Sequence, residues 1–136
     1  MKLKSKLQLI VCVSLFLIWP GAGVASEQLF KVAPVTNNGE KWRVGYYEGG
    51  AYINYQQQLT ETVKGLMQLG WLETAELPEQ SGESTDMLWE WLSKKAKSDY
   101  IEFVANAHYS ALWEDKNRKK VEDEIVFRLN NDKDID

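Results

Sequence analysis

The stretch from 42 to 71 constrains this chain most. It reads Trp42-Arg43-Val44-Gly45-Tyr46-Tyr47-Glu48-Gly49-Gly50, then a helical pattern, then Leu69-Gly70-Trp71. Trp42, Val44, Tyr46 and Tyr47 suit a pleated, half-buried strand. Gly49 and Gly50 break that strand. Asn54 is the expected N-cap, with Gln57 three residues on completing a capping box. Leu59, Val63, Leu66 and Met67 share one helical face. Gly70 stands where a left-handed C-terminal cap belongs. A strand, glycine turn and helix in this order open an α/β sheet, and ligands often sit at the turn leaving the first strand.

The remaining elements follow from the same patterns. Residues 71–77 predict a second short strand ended by Pro78, which has no N–H for a ladder. A helix is expected over 85–97, with Leu88, Trp91 and Leu92 on one face and Trp89 off that stripe. Residues 100–109 predict a third strand. A third helix should start near Trp113, with Val121, Ile125 and Leu129 as its stripe. Glu114 with Arg118, and Asp115 with Lys119, would pair four apart. Alternating strands and helices predict an α/β fold, a parallel sheet of three or four strands in three layers, α/β/α.

The 136 residues suffice for one domain. Residues 1–25 read as a secretory signal peptide: Lys2, Lys4 and Lys6, an apolar run, Pro20-Gly21, and small residues ending at Ala25. The rival is an uncleaved anchor, but the apolar run is shorter than the roughly 20 residues that span a bilayer. Cleavage implies periplasmic localisation without membrane insertion. It would also leave no cysteine, because Cys12 lies in the run. Residues 26–41 form a leader arm, with Leu29 to Val32 offering an edge strand before the Asn37-Asn38-Gly39 turn. The arm and the region 42–136 together hold 13 basic and 20 acidic residues, a net charge of −7. That balance argues against nucleic acid as a partner.

Catalytic chemistry finds little support, and the chain is expected not to be an enzyme. His108 is the only histidine and ends an apolar strand, where a satisfied structural ring is the commoner outcome. No Gly-x-Ser-x-Gly elbow is present. No metal-ligand spacing is visible, and no cofactor is implied. The best candidate site is the turn after the first strand: Tyr47, Glu48, Gly49, Gly50 and Tyr52. Aromatic rings offer flat apolar walls, while a carboxylate pairs with an amine or accepts sugar hydroxyls. Glu48 and Tyr52 could equally be a plain exposed pair. Tyr46 faces opposite to Tyr47 and is expected in the core. Five tryptophans follow residue 25; at these spacings they are more often core than a stacking surface.

The stretch Trp42-Arg43-Val44-Gly45-Tyr46-Tyr47-Glu48-Gly49-Gly50, with Asn54-Tyr55 and Val63-Lys64-Gly65-Leu66-Met67-Gln68-Leu69-Gly70-Trp71, resembles the opening of periplasmic substrate-binding proteins of ABC transporters, in an uncharacterised group with the type 1 periplasmic-binding fold. Residues 98–104, Tyr109-Ser110-Ala111-Leu112-Trp113, Arg128-Leu129-Asn130 and Asp134-Ile135-Asp136 are similar too. The resemblance implies that 42–136 is a partial N-terminal lobe, because members are much longer. It also implies a small-molecule solute as ligand and an ABC permease as partner of the intact relative. Tyr47 to Gly50 would line the cleft, with Tyr52 at its rim. The rival reading is a small secreted α/β module that binds a protein through its sheet edge.

Overall fold

The computed structural model describes residues 33–136. The expected signal peptide, and the edge strand at Leu29 to Val32, lie outside the described residues. The elements are β1 (Trp42–Glu48), α1 (Ile53–Gln68), α2 (Asp86–Lys95), β2 (Ile101–Ser110) and α3 (Asp115–Phe127), closed by a π-turn over Arg128–Asp132. β1 and β2 pair in parallel, so the fold is mixed α/β around a two-stranded sheet.

Two apolar cores flank the sheet. Leu59 and Val63 of α1 meet Leu88, Trp89 and Leu92 of α2, with Leu72 and Phe103. Ala107, Tyr109 and Ile135 form the second core, joined by Val121 and Ile125 of α3. Strand alternation separates Tyr46 and His108 from Ala107 and Tyr109, which explains why the cores do not merge.

The sheet carries one large irregularity. Val44 pairs with Phe103 and Tyr46 with His108, so Gly45 alone faces four residues of β2. Ala107 comes so close that a Cβ on Gly45 would sit 3.0 Å from its carbonyl oxygen. The bulge frees carbonyls of β2, and side chains claim them. Trp89 Nε1 donates to Val104, and Arg128 Nη1 donates to Asn106.

The expected strand at 71–77 is not formed. α1 ends in a Schellman cap: Gly70, at φ +78°, donates to Met67, and Trp71 donates to Leu66. Leu72 also donates to Leu66, so the first two N–H groups of the segment serve the helix end. Glu73 then bonds Lys97, and no ladder follows. The sheet therefore has two strands rather than three or four among the described residues.

Helix starts also differ from expectation. Tyr52, not Asn54, is the N-cap of α1, and no side chain caps it. Asn54 instead donates to the Tyr52 hydroxyl at 3.0 Å. α2 ends at Lys95 rather than 97, and α3 begins at Asp115 rather than Trp113. In α3, Arg118 pairs with Asp115 and Lys116 with Glu114, so the expected pairs four apart do not form. Arg128, seven residues after Val121, continues the inward face of α3, while Leu129 is exposed.

Candidate functional site

The turns that follow the two parallel strands meet at the carboxyl end of the sheet. Ala111 donates to the Glu48 carbonyl at 3.1 Å, and Trp113 donates to the Gly49 carbonyl at 2.7 Å. Leu112 and Trp113 both adopt left-handed backbone, at φ +53° and +61°. That conformation is costly for bulky residues and persists only where surroundings fix it. Here it lays the indole over the two glycines. A Cβ on Gly50 would lie 2.5 Å from Trp113 Nε1, and one on Gly49 would lie 3.0 Å from the ring. The glycines thus leave the room that the indole occupies.

Trp113 Nε1 donates to the Ala51 carbonyl at 3.3 Å. Its ring stacks with Tyr55 at 6.0 Å and meets Tyr52 edge-on at 6.3 Å. Tyr52 and Tyr55 also meet edge-on. Trp113 is 57 % exposed and Tyr52 42 %. The result is an aromatic platform with open faces beside the β1 turn.

Beneath it lies a polar chain. Thr85 Oγ1 donates to Glu48 Oε2 at 2.7 Å and lies 2.8 Å from His108 Nε2. His108 Nδ1 faces Asp86 Oδ1 at 3.2 Å. The imidazole stacks on Tyr46 and tilts against Trp89. Burial, aided by Glu48 and Tyr55, pushes the Tyr46 hydroxyl up to about 12. Thr85 is the N-cap of α2, yet its hydroxyl serves Glu48 and His108 rather than the helix end. A further bond, from Tyr52 N–H to the Glu83 carbonyl, ties the turn to the segment before α2.

The predicted residues divide accordingly. Tyr52 stands on the platform, and Gly49 and Gly50 form its floor. Tyr47 is exposed at the end of β1. Glu48 lies beneath the platform rather than on its open faces: its side chain is buried and accepts a hydrogen bond from Thr85. Tyr55, near the same turn in sequence, joins the platform, whereas Trp113, Thr85 and Asp86 carry no sequence signal of a site. They lie up to 62 residues from their partners (the separation of Trp113 and Ala51), so no local pattern signals them. Trp113, read as a helix start, is instead the largest exposed ring of the site. Trp89 is core as the commoner outcome predicts, whereas Trp42 and Trp113 are exposed.

Hollows also lie elsewhere among the described residues. One of about 280 Å³ sits between α1 and β1, lined by Val44, Tyr46, Leu59, Val63, Leu66 and Phe103 among others. One of about 490 Å³ lies near the start of β2, with Lys41, Glu73, Lys97 and Asp99 at its margin. Among the described residues no three metal-ligating side chains gather, and no helix is long and apolar enough to cross a membrane. No family model, curated protein or solved structure matches the chain.

Proposed function

We propose that this chain is the N-terminal part of a periplasmic solute-binding component of an ABC transport system, built as a partial three-layer lobe of the type 1 periplasmic-binding fold. The observation that carries the reading is the aromatic platform. Trp113, seated on Gly49 and Gly50, stands with Tyr52 at the carboxyl ends of two parallel strands. Open α/β sheets hold ligands at that end. Exposed rings supply stacking faces for an amine, an amino acid or a sugar. No chemical step is assigned, and the intact protein would pass its solute to a membrane permease.

The test is a thermal-shift screen of amines, amino acids and sugars against the chain and Trp113→Ala. One ligand class should raise the midpoint of the native chain, as binding to the folded state requires. The variant should lose that shift. Equal shifts in both proteins, or none in either, would remove the platform as the site.

A second reading, a protein-interaction module, rests on the other edge of β1. Trp42 N–H donates to Tyr100, while Arg43 N–H turns away to Asp136. Alternation then aims the N–H and C=O of Gly45 and Tyr47 away from β2. Asp136 N–H bonds the Arg43 carbonyl and occupies the first rung. Beyond it, no described strand pairs with that edge. Sizing of the chain and of Tyr47→Pro tests this reading. Association lost in the variant supports edge pairing, and monomers in both remove self-pairing.

A further inference from the structure

Trp113, Tyr52 and Tyr55 form a corner rather than a flat surface. Trp113 and Tyr55 are near parallel, 21° apart, while Tyr52 stands at 79° to the first and 85° to the second. Two rings that meet edge to face bound a corner with the π face of each. The corner is open, because Trp113 keeps more than half of its surface exposed although one face rests on Gly49 and Gly50. Packing does not account for this placement, since burying the indole would be more favourable. The left-handed backbone of Leu112 and Trp113 is itself costly, and it holds the ring out.

The charge around the corner has one sign. Segments 45–57, 82–89 and 107–115 meet there. They hold Glu48, Glu83, Asp86, Glu114 and Asp115, and no lysine or arginine. Lys116 and Arg118 pair with Glu114 and Asp115. Among the described residues no lysine or arginine forms an ion pair with Glu48, Glu83 or Asp86. Glu48 matters most, because it is buried, directly precedes the two glycines and has a hydroxyl rather than a cation as its partner. A buried carboxylate is costly without a countercharge. The ring faces are also negative, by the aromatic quadrupole. Among the described residues the one cation over a ring is Arg128 at Tyr109, in the second core, so the corner has no resident cation.

We propose that this corner recognises an organic cation, an alkylated ammonium that stands against Trp113 and Tyr52 and supplies the countercharge that Glu48, Glu83 and Asp86 lack. The proposal rests on the solute-binding reading and narrows its ligand. A sugar would use the ring faces but leave the charge unanswered. An amino acid would bring a carboxylate into a field of the same sign. An alkylated ammonium uses both features: its charge meets the π faces, and its methyl groups bury against them. Glu48 acts across the glycine turn, through its field, and not by a direct ion pair.

The probes are choline, the neutral alcohol of the same shape in which carbon replaces the nitrogen, and betaine, which adds a carboxylate. Calorimetric titration of the chain should show choline binding at least about tenfold more tightly than either of the others. Trp113→Ala and Tyr52→Leu should abolish the choline signal, whereas Tyr52→Phe, which keeps the ring, should retain it. Glu48→Gln keeps the shape and the bond from Thr85 but removes the charge. It should weaken choline about threefold to tenfold and leave the alcohol unchanged. Equal affinities for choline and the alcohol, or an unchanged choline affinity in folded Glu48→Gln, would overturn the proposal. Should Glu48→Gln not fold, the ratio of choline to alcohol in the native chain and the two Tyr52 variants decide. A neutral or anionic compound that binds the native chain but not Trp113→Ala, with choline inactive, would overturn the cation and leave the solute-binding reading standing. No binding by any compound would remove both.

Discussion

Two polar networks hold this molecule, and they differ in what supplies their hydrogen. At the carboxyl end of the sheet, one Thr85 hydroxyl lies between buried Glu48 and His108, while Asp86 beyond the ring is exposed. At the bulge, Arg128 brings five N–H groups, and all are used. Nε and Nη2 grip Asp134, Nη1 donates to the Asn106 carbonyl and the Tyr109 hydroxyl, and Nη2 also reaches Asn106 Oδ1. The Asp134 side chain raises the Arg128 pKa further, and Arg128 holds the Asp134 carboxyl below its ordinary range. A guanidinium keeps its protons throughout the working range, so this clamp is indifferent to pH near neutrality. One network thus rests on a permanent cationic brace, the other on a single shared hydroxyl.

The largest effect that could break the comparison is at the brace. Arg128→Met should cost about 2–4 kcal/mol in urea unfolding, because Asp134, Tyr109 and the Asn106 oxygens lose their shared donor. The loss should be the same at pH 5 and pH 8. A loss confined to one pH would mean that the brace also depends on a titrating partner.

Thr85→Val should come next, at about 1–3 kcal/mol, since it keeps the volume of a fully buried side chain but removes the hydroxyl. A loss smaller than that of Tyr109→Phe would show that this hydroxyl is not the shared support of Glu48 and His108. Tyr109→Phe is milder, at about 1 kcal/mol, as it leaves one Arg128 N–H unmatched while four keep their partners.

The smallest effect lies at Asp136, near the chain terminus. Hydrogen bonds from the Arg43 side chain and backbone pull its carboxyl down to about 2. A pKa below the ordinary value of about 3.9 means stability present above that value and lost as pH falls toward 2. Acid titration of the thermal midpoint should show the native chain and Asp136→Asn converging over that window. Parallel curves would show that the contact adds no pH-dependent stability.

Much of the fold was legible because its signals are local. β1, α1, α2 and β2 each follow from periodicity within a few turns or strand residues, and Gly70 from its place after the last apolar residue of α1. The stretch 71–77 misled because apolar residues record burial, not a partner. Leu72 is buried, yet the N–H groups that a ladder needs had gone to the cap of α1. Leu129 misled because a stripe continued every four residues drifts off the face; Arg128, seven after Val121, takes the inward place, where Asn106 and Tyr109 satisfy it.

At the site, the glycine pair and Tyr52 were readable because a turn after a first strand is a local event. Glu48 was not. Its exposure depends on Thr85, 37 residues away, and nothing in Tyr47-Glu48-Gly49 signals that a buried hydroxyl will meet it. Trp113 faced the same limit, since its place over the glycines requires the parallel pairing of β1 with β2. The amino-acid order by itself determined which segments become helix or strand, because backbone preference and amphipathic period are properties of neighbours. Tertiary structure alone decided which carboxylate is buried, which indole is exposed and which hydroxyl sits between Glu48 and His108. Those outcomes depend on contacts between distant residues, whose geometry exists only after the strands have paired.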